Sequence, residues 1–302
     1  MSTYHQPVLL SESIEGLNIK PDGTYIDVTF GGGGHSRKIL EQLGEKGHLY
    51  AFDQDPDALK NAIDDKRFTL INSNFIYIKN WMRFYNAIPV DGILADLGVS
   101  SHQFDVPGRG FSIRYSSNLD LRMNPEAKIT AADIVNTYTK EDLKSVFQRY
   151  GELKNSWKLA EHIAIFREEN NIITTDDLKL AIAKCIPKFN DHKYLAQVFQ
   201  ALRIEVNREM EALETLLIKS KDILKPGGRL VVISYHSLED RPVKNFLKSG
   251  NFKGKIEKDF YGNIITDMIL TPRKPITPSE EELKINNRAR SAKLRIAEKK
   301  TK

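Results

Sequence analysis

The stretch YIDVTFGGGGHSRKIL, residues 25–40, decides the fold: an apolar run gives way to four consecutive glycines and then to a helix start. A strand that turns through glycines into a helix aims backbone N–H groups, and the positive end of the helix dipole, at a ligand. Outward from it, similar runs recur. HLYAFDQD (48–55), FTLINSNF (68–75), DGILADLG (91–98) and RLVVIS (229–234) are short apolar stretches, most of them closed by Gly, Asp or Asn, with helix-like segments between. Such alternation predicts an α/β fold, a parallel sheet covered by helices on both faces. About 130 residues separate the last two runs, far more than one crossover helix needs. Within that interval Thr139 and Asp142 of TKEDLKSVFQRYG are spaced as a capping box with Gly151 as the stop, and TTDDLKLAIAKCIP is halted by Pro187. The spacing predicts a helical domain over residues 106–198, inserted into an α/β domain of residues 1–105 and 199–302. The segment YLAQVFQALRIEVNREMEALETLL (194–217) reads as one long amphipathic helix, and Ser279 as the cap of a helix after a proline-rich connector.

Composition narrows the function classes. Cys185 is the single cysteine among 302 residues, which excludes an internal disulfide framework and a thiolate-rich zinc site and fits a reducing compartment. No run approaches 18 uninterrupted apolar residues, and MSTYHQPVLL lacks the basic flank and long apolar core of a signal peptide, so a cytoplasmic protein without a membrane partner is expected. The seven histidines have no ligand spacing, so no metal site is expected. Net charge is +5, yet residues 283–302 hold eight Lys or Arg against one acid; that segment carries +7 and the rest of the chain −2. A polyanionic partner would meet the protein at this basic end, with Arg288, Arg290, Lys293 and Arg295 as the grip; the apolar alternation of ARSAKLRIAE equally fits a terminal strand.

Three ligand classes use a strand–glycine–helix turn. A nucleoside triphosphate demands Gly-Lys-Ser/Thr, where this loop has Gly34-His35-Ser36. A dinucleotide demands G-x-G-x-x-G/A, and counted from Gly31 the sixth position is Ser36. S-adenosylmethionine is the third, its carboxylate and sulfonium passing close over such a loop. Asp53, at the end of the second run, can accept both ribose hydroxyl protons, a feature that serves NAD equally. Phe75 follows the third run, where its ring packs either on an adenine or in the core. Asp96 closes the fourth run, at the mouth of the sheet, and LKPGGRLVVIS (224–234) feeds a late strand in the manner of methyltransferases. Together these favour a methyl donor over NAD.

The chain also resembles a known family. HQPVLLSESIEGL, FGGGGHSRKIL, ILADLGVSSHQFD, GRGFSI, LDLRMNP, FQALRIEVNRE, LKPGGRLVVISYHSLEDRPVK and NNRARSAKLRIAEK are similar, in order from residue 5 to 299, to the blocks of the bacterial ribosomal RNA small-subunit methyltransferase H family. The resemblance implies a Rossmann-like class I S-adenosylmethionine-dependent methyltransferase fold with an inserted helical domain for substrate recognition. It implies S-adenosylmethionine as cofactor and methylation of the exocyclic N4 of a cytidine in 16S rRNA at the decoding centre. It places cofactor contacts at Gly33, Gly34, His35, Asp53, Phe75, Asp96 and Gln103. The oligomeric state stays open, as does a non-catalytic RNA-binding role.

Methyl transfer to cytosine N4 requires alignment, exclusion of water and an acceptor for the amine hydrogens, because the N4 lone pair is delocalised into the ring. The Asp/Asn-Pro-Pro-aromatic motif of many amino-methyltransferases is replaced here by DLGVSS, which leaves Asp96 as the acceptor or a cofactor-orienting group. Ser234, Tyr235 and His236 are alternatives. Arg203 and Asn207, one helical turn apart, either face a cleft or clamp a buried network.

Overall fold

The computed structural model describes residues 7–100, 103–104 and 108–301. The chain divides into two compact units, residues 1–98 with 210–302, and residues 99–209.

The first unit is built on seven strands: β1 (Thr24–Asp27), β2 (His48–Asp53), β3 (Phe68–Asn72), β4 (Val90–Asp96), β5 (Leu224–Ser234), β6 (Met268–Leu270) and β7 (Lys293–Lys299). They lie in the order β3-β2-β1-β4-β5-β7-β6. β1 to β5 run parallel, while β7 is antiparallel to both of its neighbours. The near-continuous apolar runs have a simple cause, because both faces of the sheet are covered. Ile93 and Ala95 of β4 pack with Leu213, Leu216 and Leu217 of the helix Glu209–Ile223 and with Phe246 and Leu247 of the helix Ser237–Ser249. Leu94 points the other way, into a cluster with Leu17, Ile39, Leu40 and Ile296. LKPGG is absorbed into β5 as an irregularity: Leu224 pairs with Val90, the register then shifts, and Arg229 pairs with Gly92.

The strand order reverses at β1, which has β2 on one side and β4 on the other. Open α/β sheets bind ligands at the carboxyl ends of the strands flanking such a reversal.

The second unit is helical, with its own core of Leu143, Phe147, Leu159, Ile163, Leu178 and Leu202. Thr139 caps the helix Lys140–Gly151 by accepting the Asp142 N–H, and Thr174 makes a full capping box with Asp177 at Thr175–Ala181. That second helix stops at Ala181, and a short 3-10 turn, Ala183–Cys185, precedes Pro187.

Two sequence expectations are corrected. The helical unit begins at Val99 and ends at Glu209, wider at both ends than residues 106–198. The single long helix is two, Asp191–Asn207 and Glu209–Ile223, broken at Arg208, which sits in the left-handed region at φ 51. The break is held on its N-terminal side: the Asn207 side chain donates to Leu121 O and accepts from Met123 N, and Arg203 makes a bidentate pair with Glu209. Arg203 and Asn207 therefore form a structural network inside the helical unit.

The basic C-terminal segment is largely built into the sheet as β7. Arg295 is buried and makes a bidentate pair with Asp240, with Nε at 2.6 Å and Nη2 at 3.1 Å, and Lys293 Nζ lies 3.6 Å from the same carboxylate. Arg288 and Arg290 stay exposed. Of the two accounts the sequence left open, the terminal strand holds at Arg295: alternate residues of a strand point to opposite faces, and both faces of β7 are covered, Leu294 and Ile296 packing on one and Ala297 on the other.

Candidate functional site

Each of β1, β2 and β4 ends on an aspartate: Asp27, Asp53 and Asp96. All three lie at the carboxyl edge of the sheet, around the glycine turn. Asp53 holds that turn directly, accepting the Gly31 N–H at 2.8 Å through Oδ2 and the Asp55 N–H at 2.9 Å through Oδ1. Asp27 accepts from the Ser36 hydroxyl at 2.7 Å and from the Thr29 N–H at 3.1 Å. The Thr29 hydroxyl in turn accepts the Asp96 N–H at 2.7 Å, so one chain of hydrogen bonds joins the ends of β1 and β4. Burial raises the pKa of each of the three carboxyls, to about 6 for Asp53 and for Asp96, with Asp27 adding like-charge repulsion at both. A cluster of this kind favours a ligand that brings positive charge and hydroxyl donors.

Asp96 is held asymmetrically. The Tyr235 hydroxyl, at the end of β5, donates to its Oδ1 at 2.7 Å. The His35 ring lies on the other side, with Nδ1 3.9 Å from Oδ2, beyond hydrogen-bond reach. His35 Nε2 donates to Val8 O at 3.2 Å, which assigns the proton to Nε2 and leaves a lone pair on Nδ1. Burial lowers the His35 pKa and keeps the ring neutral, against the opposing pull of Asp96. Burial, followed by the Asp96 charge, drives the Tyr235 pKa well above the ordinary tyrosine range, so its hydroxyl remains a donor. Oδ1 is thus occupied, whereas Oδ2 accepts from no donor among the described residues.

The glycines answer partly to the chain's own packing. Gly33 has φ +75, and a side chain there would meet the Phe30 ring at 2.9 Å and the Arg37 guanidinium at 2.7 Å. At Gly34 an added Cβ would lie 2.2 Å from the Pro7 ring. The helix Gly34–Gln42 starts without a side-chain cap, so no side chain competes for its first N–H groups. Those groups and the three carboxylates suit S-adenosylmethionine: helix N–H donors for a carboxylate, acceptors for ribose hydroxyls and for an ammonium, and negative charge for a sulfonium.

The structure brings most of the expected residues together. Gly33, Gly34, His35, Asp53 and Asp96 surround one turn. Phe75 follows β3 beside them, since the Ser73 N–H donates to Asp53 O and Asn74 bonds Gln54; its ring is half-buried against the core. Gln103 belongs to the helical unit, where its side-chain oxygen accepts the Ser100 N–H at 3.0 Å. Of the β5-end alternatives, Ser234 reaches back to Lys293 O on β7 and His236 contacts Glu239, which leaves Tyr235 as the residue that joins Asp96. Asp27 escaped the sequence reading, although the signal was present: it closes its strand as Asp53 and Asp96 close theirs. Among the described residues no group of three His, Cys, Asp or Glu side chains could hold a metal ion, and no helix is long and apolar enough to cross a membrane.

Comparison with known proteins bears on this geometry. The profile of the MraW methylase family matches residues 2–300. The chain is 58% identical over 296 residues to the ribosomal RNA small subunit methyltransferase H of Flavobacterium johnsoniae, covering 98% of each chain. It is 59% identical over 299 residues to the protein of that name from Parabacteroides distasonis, covering 99% of this chain and 98% of the relative.

Proposed function

The chain belongs to the MraW methylase family, and from that premise we propose that it is a cytoplasmic enzyme that methylates the exocyclic N4 of a cytidine in 16S rRNA, at the decoding centre of the small ribosomal subunit. Methylation of small-subunit ribosomal RNA follows the relatives' names, and the glycine turn with its uncapped helix and the strand-end acceptor Asp53 support S-adenosylmethionine as the donor. The observation that carries the N4 assignment is Oδ2 of Asp96, a partly exposed carboxylate oxygen that accepts from no donor among the described residues, set at the rim of the glycine turn.

The Gly33–Gly34 turn and the first N–H groups of its helix bind the methionine end, Asp53 the ribose hydroxyls, and Phe75 flanks the adenine. S-adenosylmethionine supplies a methyl group already activated by its sulfonium. Asp96 accepts the N4 hydrogens at Oδ2, which localises the nitrogen lone pair. On methylation of N4, Oδ2 would take up the proton that the nitrogen releases. Tyr235 holds Oδ1 throughout, which fixes the plane of the carboxylate, and His35 stays neutral beside it. Gln103 and the helical unit are assigned to cofactor contact and substrate recognition.

The test is transfer of labelled methyl to small subunits from a strain lacking the gene, followed by nucleoside analysis. N4-methylated cytidine is expected; label on another base, or no transfer, overturns the reading.

Asp53→Ala is expected to weaken S-adenosylmethionine binding by at least roughly 1.5–3 kcal/mol for each lost charge-assisted bond, because it also releases the Gly31 turn that Asp53 holds, read by calorimetry on protein of unchanged circular dichroism. Because burial raises Asp53 to about 6, wild-type affinity should also fall as pH drops below that value, where the acceptor becomes protonated. Unchanged affinity in the variant would show that the pocket is misassigned.

A further inference from the structure

Residues 257–265 form a short hairpin outside the site described above. Ile265 N donates to Glu257 O and Asp259 N to Asn263 O, each at 2.9 Å, and Lys258 bridges Ile264. Its tip is fixed from within. Asp259 Oδ1 accepts the N–H groups of Tyr261 and Asn263, both at 2.9 Å, its Oδ2 accepts the Asn263 amide, and Gly262 closes the turn at φ +84. The base is anchored as well: Phe252 stacks on the buried Phe246 with centroids 5.1 Å apart, and Lys300 Nζ donates to Ile264 O.

What this braced tip carries is two rings in water. Phe260 is 98% exposed and Tyr261 86%, their centroids 5.7 Å apart and their planes nearly perpendicular. Exposed apolar residues scattered singly need no explanation, but two adjacent aromatics on an internally hydrogen-bonded turn do. Lys253, Lys255 and Lys258 are exposed on the same short segment. Of the two acids among them, Asp259 is committed to the turn. Aromatic faces beside uncommitted cations are what an unpaired nucleic-acid strand requires, rings for the bases and cations for the phosphates.

We propose that this hairpin is an RNA-binding finger, in which Phe260 and Tyr261 stack on unpaired bases of the rRNA and Lys253, Lys255 and Lys258 contact its backbone. The proposal rests on the rRNA-methyltransferase reading for the identity of the RNA, but not for its chemistry. Base–aromatic stacking sets the expected size of the effect: the full-length double variant Phe260→Ala/Tyr261→Ala binds protein-free 16S rRNA at least about 30-fold more weakly than wild type. Its S-adenosylmethionine affinity and Tm stay unchanged, and with small subunits KM rises while kcat is retained. Phe260→Tyr/Tyr261→Phe restores binding, since either ring can stack. Lys253→Gln/Lys255→Gln/Lys258→Gln reduces the slope of log affinity against log salt by about 2. Wild-type affinity of the alanine variant for protein-free rRNA overturns the proposal. So does a loss confined to assembled subunits, which would assign the finger to a ribosomal protein, and so does a change of oligomeric state, which would assign it to a second copy of this chain. The two readings fail separately. A wild type that transfers no methyl while the alanine variant loses RNA affinity sinks only the enzymatic reading; a wild type that methylates while the variant binds normally sinks only the finger.

Discussion

Asp96→Asn is expected to reduce methyl transfer by about 10²- to 10⁴-fold, the range for loss of a positioned general base, while S-adenosylmethionine still binds. The asparagine keeps an oxygen for the Tyr235 hydroxyl, so the local geometry is preserved. What is lost is an ionised oxygen facing N4. The pH profile separates this from a role in orienting the cofactor. Burial raises Asp96 to about 6, with His35 and Tyr235 offsetting part of the rise, so wild-type turnover should climb as pH passes through 6 and level off above it. The residual rate of the variant should lack that limb. Stability carries the opposite sign. A carboxyl whose pKa is higher folded than unfolded contributes most below its unfolded pKa near 4, and that contribution disappears as pH rises through about 6. Without ligand, Asp96→Asn should therefore gain in Tm over wild type as pH increases from 4 to 7. Retained turnover, or a variant that has lost cofactor binding in proportion to its rate, would remove Asp96 from the chemistry. Tyr235→Phe is the companion measurement. With its hydroxyl gone, Asp96 loses the donor that fixes its plane, and kcat should fall while cofactor affinity holds.

The parts of this site that were legible in the sequence were those encoded locally. Four glycines between a strand and a helix, and an acid closing the next strand, state their geometry within a few residues. Asp27 was hidden by its setting, since an aspartate at the end of an apolar run before a glycine turn is also an ordinary strand terminator. Tyr235 could be named only as one of three candidates. It reaches Asp96 across 139 residues of chain, a pairing fixed by the register of β4 against β5 rather than by any motif. Gly34 needs no side chain because Pro7 lies against it, a contact no local pattern announces. The break at Arg208 was invisible for another reason: the helical period of apolar residues continues across it, and only the backbone angle interrupts the hydrogen bonding.

The C-terminal segment shows the same limit and yields the second large effect. Its charge count suggested a solvated grip for RNA, whereas its alternation specified a strand, and the alternation prevailed. Leu294 and Ile296 enter the core on one face of β7, which turns Lys293 and Arg295 toward Asp240 on the other. Asp240 is partly desolvated, which by itself would raise its pKa, yet the Arg295 guanidinium more than compensates and holds the carboxyl below its usual range. Arg295→Ala leaves that carboxylate near the interior without its bidentate partner, with only the half-exposed Lys293 at 3.6 Å. Breaking a buried pair from one side typically costs about 3–5 kcal/mol, so Tm should fall on the order of 10 °C. Arg290→Glu, a larger change of charge at an exposed position, should alter stability by no more than about 0.5 kcal/mol. The pH dependence follows from the lowered pKa. The stabilisation is present above the unfolded value near 4 and is lost as pH falls through the folded one, so the gap between wild type and Arg295→Ala should close in acid. Asp240→Asn/Arg295→Met removes both charges together and should recover much of the loss, because two compact neutral groups leave no unpaired ion behind. An Arg295→Ala protein with wild-type Tm and weakened rRNA affinity would return this arginine to the RNA-binding surface and refute the buried pair.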